Sequence, residues 1–164
     1  MQSVERMSVE VEIVGSQKIE ASQRQVFSAL LDPKILKESV PGCSEAEYAE
    51  MPWAPEQGRH IRLVISPNFP GLSGPYEIFI QLEDLIEPSH LVLTSSPSSS
   101  LGSIDARCII ALVDEGSETT INYLTTATLS GKIAVTPETM IRAAVKGALD
   151  HFFKNLEKHI RKNT

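Results

Sequence analysis

The sequence predicts an α+β fold in which an antiparallel sheet packs against one long C-terminal helix. Between residues 9 and 129, apolar and polar residues alternate in successive segments joined by turns, which is typical of half-buried antiparallel strands. Thr136 to Lys162 instead repeats apolar residues every three or four positions, which predicts an amphipathic helix about 40 Å long. Its apolar stripe contains Ile141, Ala144, Val145, Ala148, Leu149, Phe152, Leu156 and Ile160. We expect the dry face of the sheet to cover this stripe.

The first elements are two short helices that follow a single strand. Val9, Val11 and Ile13 alternate with glutamates, and the strand resumes at Lys18 to Glu20 after a bulge expected at Gly15. Capping signals mark both helices: Ser22 with Gln25 forms a capping box, and Asp32-Pro33 supplies an N-cap followed by proline at the first helical position. Val40-Pro41-Gly42 then turns the chain.

The remaining elements up to the C-terminal helix are strands and loops. Cys43 to Gly58 carries a weak signal, either an irregular segment or an edge strand. Clearer strands begin at Ile61, Tyr76, Leu91, Ile104 and Thr119. Thr94 to Ser103 is rich in serine and is expected to be a mobile loop.

Length and charge limit the classes of protein. A chain of 164 residues with 41% hydrophobic and 22% charged residues is typical of one folded domain, which we place at residues 9–164 after a flexible arm of residues 1–8. The net charge is −6, but residues from Lys132 onward carry 7 basic and 3 acidic side chains. This basic tail is either a solvated helix face or a docking surface for an acidic partner or a membrane. Nucleic-acid binding is disfavoured because no broad basic field exists elsewhere.

The chain is predicted to be cytoplasmic. Its longest uninterrupted apolar run, Cys108 to Val113, is too short to span a bilayer, so membrane contact is at most peripheral. Glu5, Glu10 and Glu12 interrupt any signal-peptide pattern. Cys43 and Cys108 lie far apart without partners at metal-ligand spacing, so neither a zinc site nor a disulfide is indicated.

The sequence favours binding over catalysis. Gly71-Leu72-Ser73-Gly74-Pro75 does not match a nucleophile elbow, the four histidines lie in separate elements, and no cofactor or metal motif occurs. The predicted inner faces offer Tyr76, Tyr123, Thr125 and Cys108 among aliphatic side chains, with no carboxylate or histidine. Acid/base catalysis needs a titratable group in the cleft, whereas a ligand pocket needs apolar walls with a few hydroxyls.

Local sequence resembles the CoxG family of carbon monoxide dehydrogenase proteins, which belongs to the START-like (SRPBCC) superfamily. The resemblance rests on the run from Ala21 to Pro33, its continuation through Val40-Pro41-Gly42-Cys43, and the segments Ser130 to Ala134 and Phe152-Phe153. The chain departs from the family at Phe27, where a tryptophan is usual, and at the serine-rich loop, where glycines are usual. The resemblance implies a helix-grip fold, a curved antiparallel sheet wrapped around the long C-terminal helix. It also implies an accessory protein of a molybdenum hydroxylase, with a cavity for a quinone or another lipid-like molecule.

Three hypotheses follow for the function. The first is a non-catalytic hydrophobic-ligand binder of CoxG type, whose predicted pocket residues are Leu31, Leu36, Phe69, Tyr76, Tyr123, Met140 and Ala144. The second is a polyketide cyclase-like enzyme on the same fold, which requires a titratable residue such as Asp105 or Arg107 to face inward. The third is an assembly factor that docks through its basic C-terminal helix, with the cavity only a packing gap.

Overall fold

The computed structural model describes residues 8–49, 60–66 and 74–162, within which eight strands and three α-helices are defined. In chain order these are β1 (Ser8–Ile19), α1 (Gln23–Leu30), α2 (Pro33–Ser39), β2 (Cys43–Ala49), β3 (His60–Ile65), β4 (Tyr76–Ile86), β5 (His90–Ser95), β6 (Ser98–Ser99), β7 (Gly102–Glu115), β8 (Glu118–Ser130), a 3₁₀ helix (Gly131–Val135) and α3 (Glu138–Lys162). The predicted arm, residues 1–8, lies outside this part of the chain except for Ser8, the first residue of β1.

The strands form one open antiparallel sheet, as predicted. Their spatial order is β1-β8-β7-β5-β4-β3-β2, and β6 pairs with β7. All pairings are antiparallel, and the long hairpin of β7 and β8 runs without a register shift from Ser103 opposite Ser130 to Glu115 opposite Glu118. The edge-strand alternative for the weak segment after Cys43 is confirmed for residues 43–49, because β2 ends the sheet.

Both short helices begin at the predicted caps. The Ser22 hydroxyl accepts from the Gln25 N–H, and the Gln25 side chain accepts from the Ser22 N–H, which completes the capping box. The Asp32 carboxylate accepts from the Lys34 N–H at 2.9 Å. Local hydrogen-bonding chemistry therefore fixes where the chain leaves β1 and where α2 starts.

The bulge expected at Gly15 is wrong. β1 pairs with β8 in continuous register from Ser8 opposite Ser130 to Ile19 opposite Thr119, and Gly15 lies directly opposite Tyr123. A side chain at residue 15 would collide with the Tyr123 ring, since an added Cβ would lie 2.2 Å from Tyr123 Cζ. The glycine serves a close side-chain approach and not a change of register.

The serine-rich segment, predicted as a mobile loop, contains the short strand β6. Ser98 pairs with Ser103, and the Ser99 hydroxyl accepts from the Leu101 N–H at 3.1 Å. The Leu101 carbonyl accepts from Ile133 N–H at 2.8 Å, which ties this hairpin to the 3₁₀ helix.

The long helix begins at Glu138, two residues after the predicted start. Ile141 N–H donates to the Pro137 carbonyl, so Pro137 and not Thr136 accepts the first helical hydrogen bond. The 3₁₀ helix before it was not predicted. Within the described residues, no helix is long and apolar enough to cross a membrane.

The interior contains two apolar clusters that meet at three half-buried side chains. The larger joins β1, β7, β8 and α1 to the C-terminal half of α3, and the smaller contains Leu36, Ile61, Leu63 and Leu82. The residues that pack against both clusters are Leu31, Leu93 and Phe152.

The predicted apolar stripe of α3 is only partly correct. Ile141, Leu156 and Ile160 are buried, but Phe153 is 1% exposed and packs deepest, whereas Phe152 is half-buried and Ala148 is exposed. Phe153 turns towards β8, where its ring lies 5.1 Å from that of Tyr123. The helix is therefore rotated towards β1 and β8, leaving its Ala144, Ala148 side less covered.

The outer face of the sheet is less polar than predicted. One cross-strand row contains only aliphatic side chains, Val14, Leu124, Ile109 and Val92, on the neighbouring strands β1, β8, β7 and β5. Val14 is 70% exposed.

Candidate functional site

The interior of the sheet is well packed at one end and open at the other. On β4 the inward-facing Leu82 is buried, whereas Tyr76 and Ile78 are only half-buried. On β7 the inward-facing Ile110 is buried, whereas Ile104 is half-buried. β4 and β7 both pair antiparallel to β5, so their first residues lie at the same end of the sheet. The same end of the interior is therefore open on both strands.

An apolar pocket, hereafter the open-end pocket, lies at this end. Its volume is about 130 Å³. It is lined by Tyr76, Glu77, Ile78, Pro97, Ser98, Ser99, Gly102, Ile104 and Ile133. The walls are thus supplied by β4, the β5–β7 connection, the start of β7 and the 3₁₀ helix that leads into α3.

Close backbone packing holds the wall formed by the β6–β7 hairpin. Gly102 has φ +129°, and a Cβ there would lie 1.9 Å from the Ser130 carbonyl oxygen. Gly131, with φ +84°, approaches the same residue from the other side. Only glycine permits both the positive φ and this approach of backbone to backbone.

The lining contains hydroxyls but no inward-facing charge among the described residues. Glu77 is the one charged lining residue, and its carboxylate accepts from Arg62 Nε at 2.5 Å on the outer face. Arg62 also lies 3.0 Å from Glu47 and 3.6 Å from Glu45. The hydrogen bond to Glu77 raises the pKa of Arg62 above its ordinary value. Glu77 is thus engaged away from the pocket.

Farther inside, Cys108 and Thr125 form a polar contact between β7 and β8. The Thr125 hydroxyl donates to Cys108 Sγ at 3.2 Å. Burial raises the pKa of the Cys108 thiol, and the Thr125 hydrogen bond opposes that rise only in part. The thiol is therefore kept protonated at neutral pH, which does not suit a nucleophile.

The seven predicted pocket residues do not all come together. Tyr76 lines the open-end pocket. Leu31 is half-buried between the two clusters, and Leu36 is buried in the smaller one. Phe69 lies outside the described residues.

Three further predicted residues lie on α3 or opposite it. Met140 is 45% exposed in the first turn of α3, and Ala144 is half-buried one turn later. Tyr123 is 3% exposed and packed against Phe153, with its hydroxyl accepting from Lys146 Nζ at 3.3 Å. A hydrogen bond to Asp150, the largest effect, raises the pKa of Lys146.

Some lining residues were not predicted as pocket residues. Ile78 and Ile104 were already on predicted inner faces, so alternation alone could have included them. Ile133 follows the last strand in a 3₁₀ helix, and Ser98 and Ser99 belong to the segment expected to be mobile. No periodic pattern in the sequence marks these three.

Titratable side chains do not converge inside the described part of the protein. Asp105 is exposed on the outer face, and Arg107 lies there 3.6 Å from Glu83. His159 Nδ1 lies 3.0 Å from the Glu38 carboxylate, joining α3 to α2. No group of three metal-ligating side chains occurs among these residues. The arrangement can enclose an apolar molecule and offer it hydroxyls.

An open antiparallel sheet against a long C-terminal helix, with an apolar pocket between them, defines a START-like helix-grip protein, a fold suited to hydrophobic ligands. The family model of CoxG, the carbon monoxide dehydrogenase protein, matches residues 15–161, and the chain belongs to this family. No curated protein matches the sequence significantly.

Solved structures agree with this fold. A conserved protein from Geobacillus kaustophilus has 25% identity and a TM-score of 0.81, covering 93% of this chain and 96% of its own. A START superfamily protein from Mycobacterium smegmatis has 15% identity and a TM-score of 0.71, covering 93% and 99%. Norcoclaurine synthase from Thalictrum flavum, solved with dopamine and hydroxybenzaldehyde, has 16% identity and a TM-score of 0.64, covering 96% and 90%.

Proposed function

We propose that this protein is a non-catalytic accessory protein that binds a quinone or another lipid-like molecule and serves a carbon monoxide dehydrogenase-like molybdenum hydroxylase. It acts as one START-like domain, residues 9–164, in the cytoplasm. The observation that carries the proposal is the open end of the interior, where inward-facing side chains such as Tyr76, Ile78 and Ile104 are only half-buried. A core that served stability alone would bury them.

The chemistry of this interior supports binding. Its polar groups are hydroxyls and one thiol held protonated by burial. Asp105 and Arg107, the groups that a cyclase-like mechanism would use, lie on the outer face. Membership of the CoxG family supports the link to a molybdenum hydroxylase.

The test is native mass spectrometry of the protein purified without detergent, followed by organic extraction. We expect a co-purifying apolar molecule, identified by its mass and, for a quinone, by its absorbance. An empty protein that also fails to take up added ubiquinone-1 or menadione would contradict the quinone-binding role.

A second role is favoured by a separate observation. Lys154 and Lys158 are both exposed one turn apart on α3, so the predicted basic face is accessible. In this role the face docks on an acidic partner during assembly of the enzyme.

A further inference from the structure

The open-end pocket also indicates which class of apolar molecule fits. We infer that it binds the uncharged, ring-sized end of its ligand, with the Tyr76 hydroxyl as hydrogen-bond partner, and that it rejects carboxylates. This inference rests on the proposed binding function and deepens it.

Size limits what the pocket itself can hold. A cavity of about 150 Å³ holds one benzene ring. The volume here is about 130 Å³. The pocket thus accommodates a single ring or a few methylene groups, and any longer chain must extend beyond it.

Charge limits the chemistry of that end. Burying an unpaired carboxylate is costly unless a cation or several donors compensate. Among the described lining residues no cation faces the pocket, and the nearest basic group, Arg62, is engaged with Glu77, Glu47 and Glu45 on the other face of the sheet. The local field therefore disfavours anions, while Glu77 is too well paired to attract cations.

Tyr76 supplies a polar group suited to an uncharged partner. Its side chain is half-buried in the pocket wall, and its hydroxyl makes no hydrogen bond within the described part of the chain. A phenol both donates and accepts, so it can serve a carbonyl or a hydroxyl. The Ser99 hydroxyl is already occupied as an acceptor by Leu101 N–H.

Three matched ligands test the inference: pentylbenzene, 4-pentylphenol and 4-pentylbenzoate, each competing with 1-aminoanthracene fluorescence at pH 7.5. We expect 4-pentylphenol to bind most tightly and 4-pentylbenzoate to bind at least about tenfold more weakly. The benzoate should regain affinity as the pH falls and its carboxyl group becomes protonated. Tyr76→Phe should weaken 4-pentylphenol about 3- to 10-fold and leave pentylbenzene unchanged.

The outcomes separate the two claims. If none of the three ligands binds, hydrophobic binding itself fails. If pentylbenzene binds and the benzoate binds as tightly as the phenol, the restriction to uncharged ligands is overturned while the binding function stands. If Tyr76→Phe weakens all three equally, with an unchanged melting temperature, Tyr76 contributes packing and not a hydrogen bond.

Discussion

The ring of Tyr123 lies across the α-carbon of Gly15, its cross-strand partner on the edge strand β1. A Cβ at residue 15 would lie 2.2 Å from both Cζ and Oη of Tyr123. The ring cannot easily move, since it is 3% exposed and packs on Phe153 of α3. The missing side chain of one strand thus lets an aromatic residue of the next reach the helix.

Gly15→Ala is expected to destabilise the protein by about 1–3 kcal/mol. Replacing glycine in a strand normally favours folding by about 0.5–1 kcal/mol, but the overpacking at Tyr123 outweighs this. Chemical denaturation measures the free energy of unfolding. In a Tyr123→Leu background the same substitution should cost much less, because the colliding ring is gone. An equal cost in both backgrounds would show that Tyr123 is not the reason for the glycine.

Gly102→Ala should be more harmful than Gly15→Ala. The residue has φ +129° and faces the Ser130 carbonyl, so neither its backbone nor its neighbour can adapt. We expect a loss of about 2 kcal/mol or more, which lowers the melting temperature by at least about 5 °C. Gly116→Ala is the control, because it has φ +84° but no atom within 4 Å of an added Cβ. A smaller loss at Gly102 than at Gly116 would argue against close packing of this wall.

Much of the fold was predictable because its signals are local. The caps at Ser22 and Asp32 depend on neighbouring N–H groups, and strand alternation depends only on which face is dry. The choice of Phe153 over Phe152 as the buried ring depends on how α3 rotates on the sheet. That rotation is set by Tyr123, 30 residues away, so helical periodicity alone could not give it.

The candidate site was less predictable for a similar reason. Tyr76 and the neighbouring inner-face residues follow from alternation within β4 and β7. Ile133 reaches the pocket only because its N–H donates to the Leu101 carbonyl and so docks the 3₁₀ helix against the hairpin. Such a contact between distant segments has no signature in either one.

Ala144→Trp should abolish ligand binding and leave the fold intact. Ala144 is half-buried on the less covered side of α3, so an indole there would occupy space between helix and sheet. The adjacent Ala143→Trp is the matched control, because residue 143 is exposed. Competition with 1-aminoanthracene measures binding, and thermal denaturation checks the fold. Equal binding by both variants would refute the placement of ligand beside Ala144.

The Cys108 thiol should react slowly at pH 8 and faster as the pH rises. Burial raises its pKa, so little thiolate exists at pH 8. Below the raised pKa, the rate of iodoacetamide labelling, followed by peptide mass mapping, should increase about tenfold per pH unit. Thr125→Val removes a hydrogen bond that lowers this pKa and should slow labelling further, while leaving Cys43 unchanged. Labelling of Cys108 at the rate of an unfolded peptide would contradict its burial.

The basic face of α3 gives a prediction that separates the carrier role from the assembly role. Lys154 and Lys158 are exposed, so their replacement should not disturb the core. If α3 docks on an acidic surface, Lys154→Glu with Lys158→Glu should weaken binding to a purified carbon monoxide dehydrogenase-like enzyme by at least about tenfold. The effect should diminish at high salt, because exposed charges are screened.

Glutamate near a helix C-terminus also opposes the helix dipole, at a cost of about 0.3–1 kcal/mol per residue. The paired substitution Lys154→Gln with Lys158→Gln avoids this cost and should weaken partner binding to a smaller extent. Both variants should retain ligand competition, since neither residue lines the open-end pocket. Unchanged enzyme binding at low salt would show that the basic face does not dock. Loss of ligand binding in the glutamine variant would show that α3 couples the two roles.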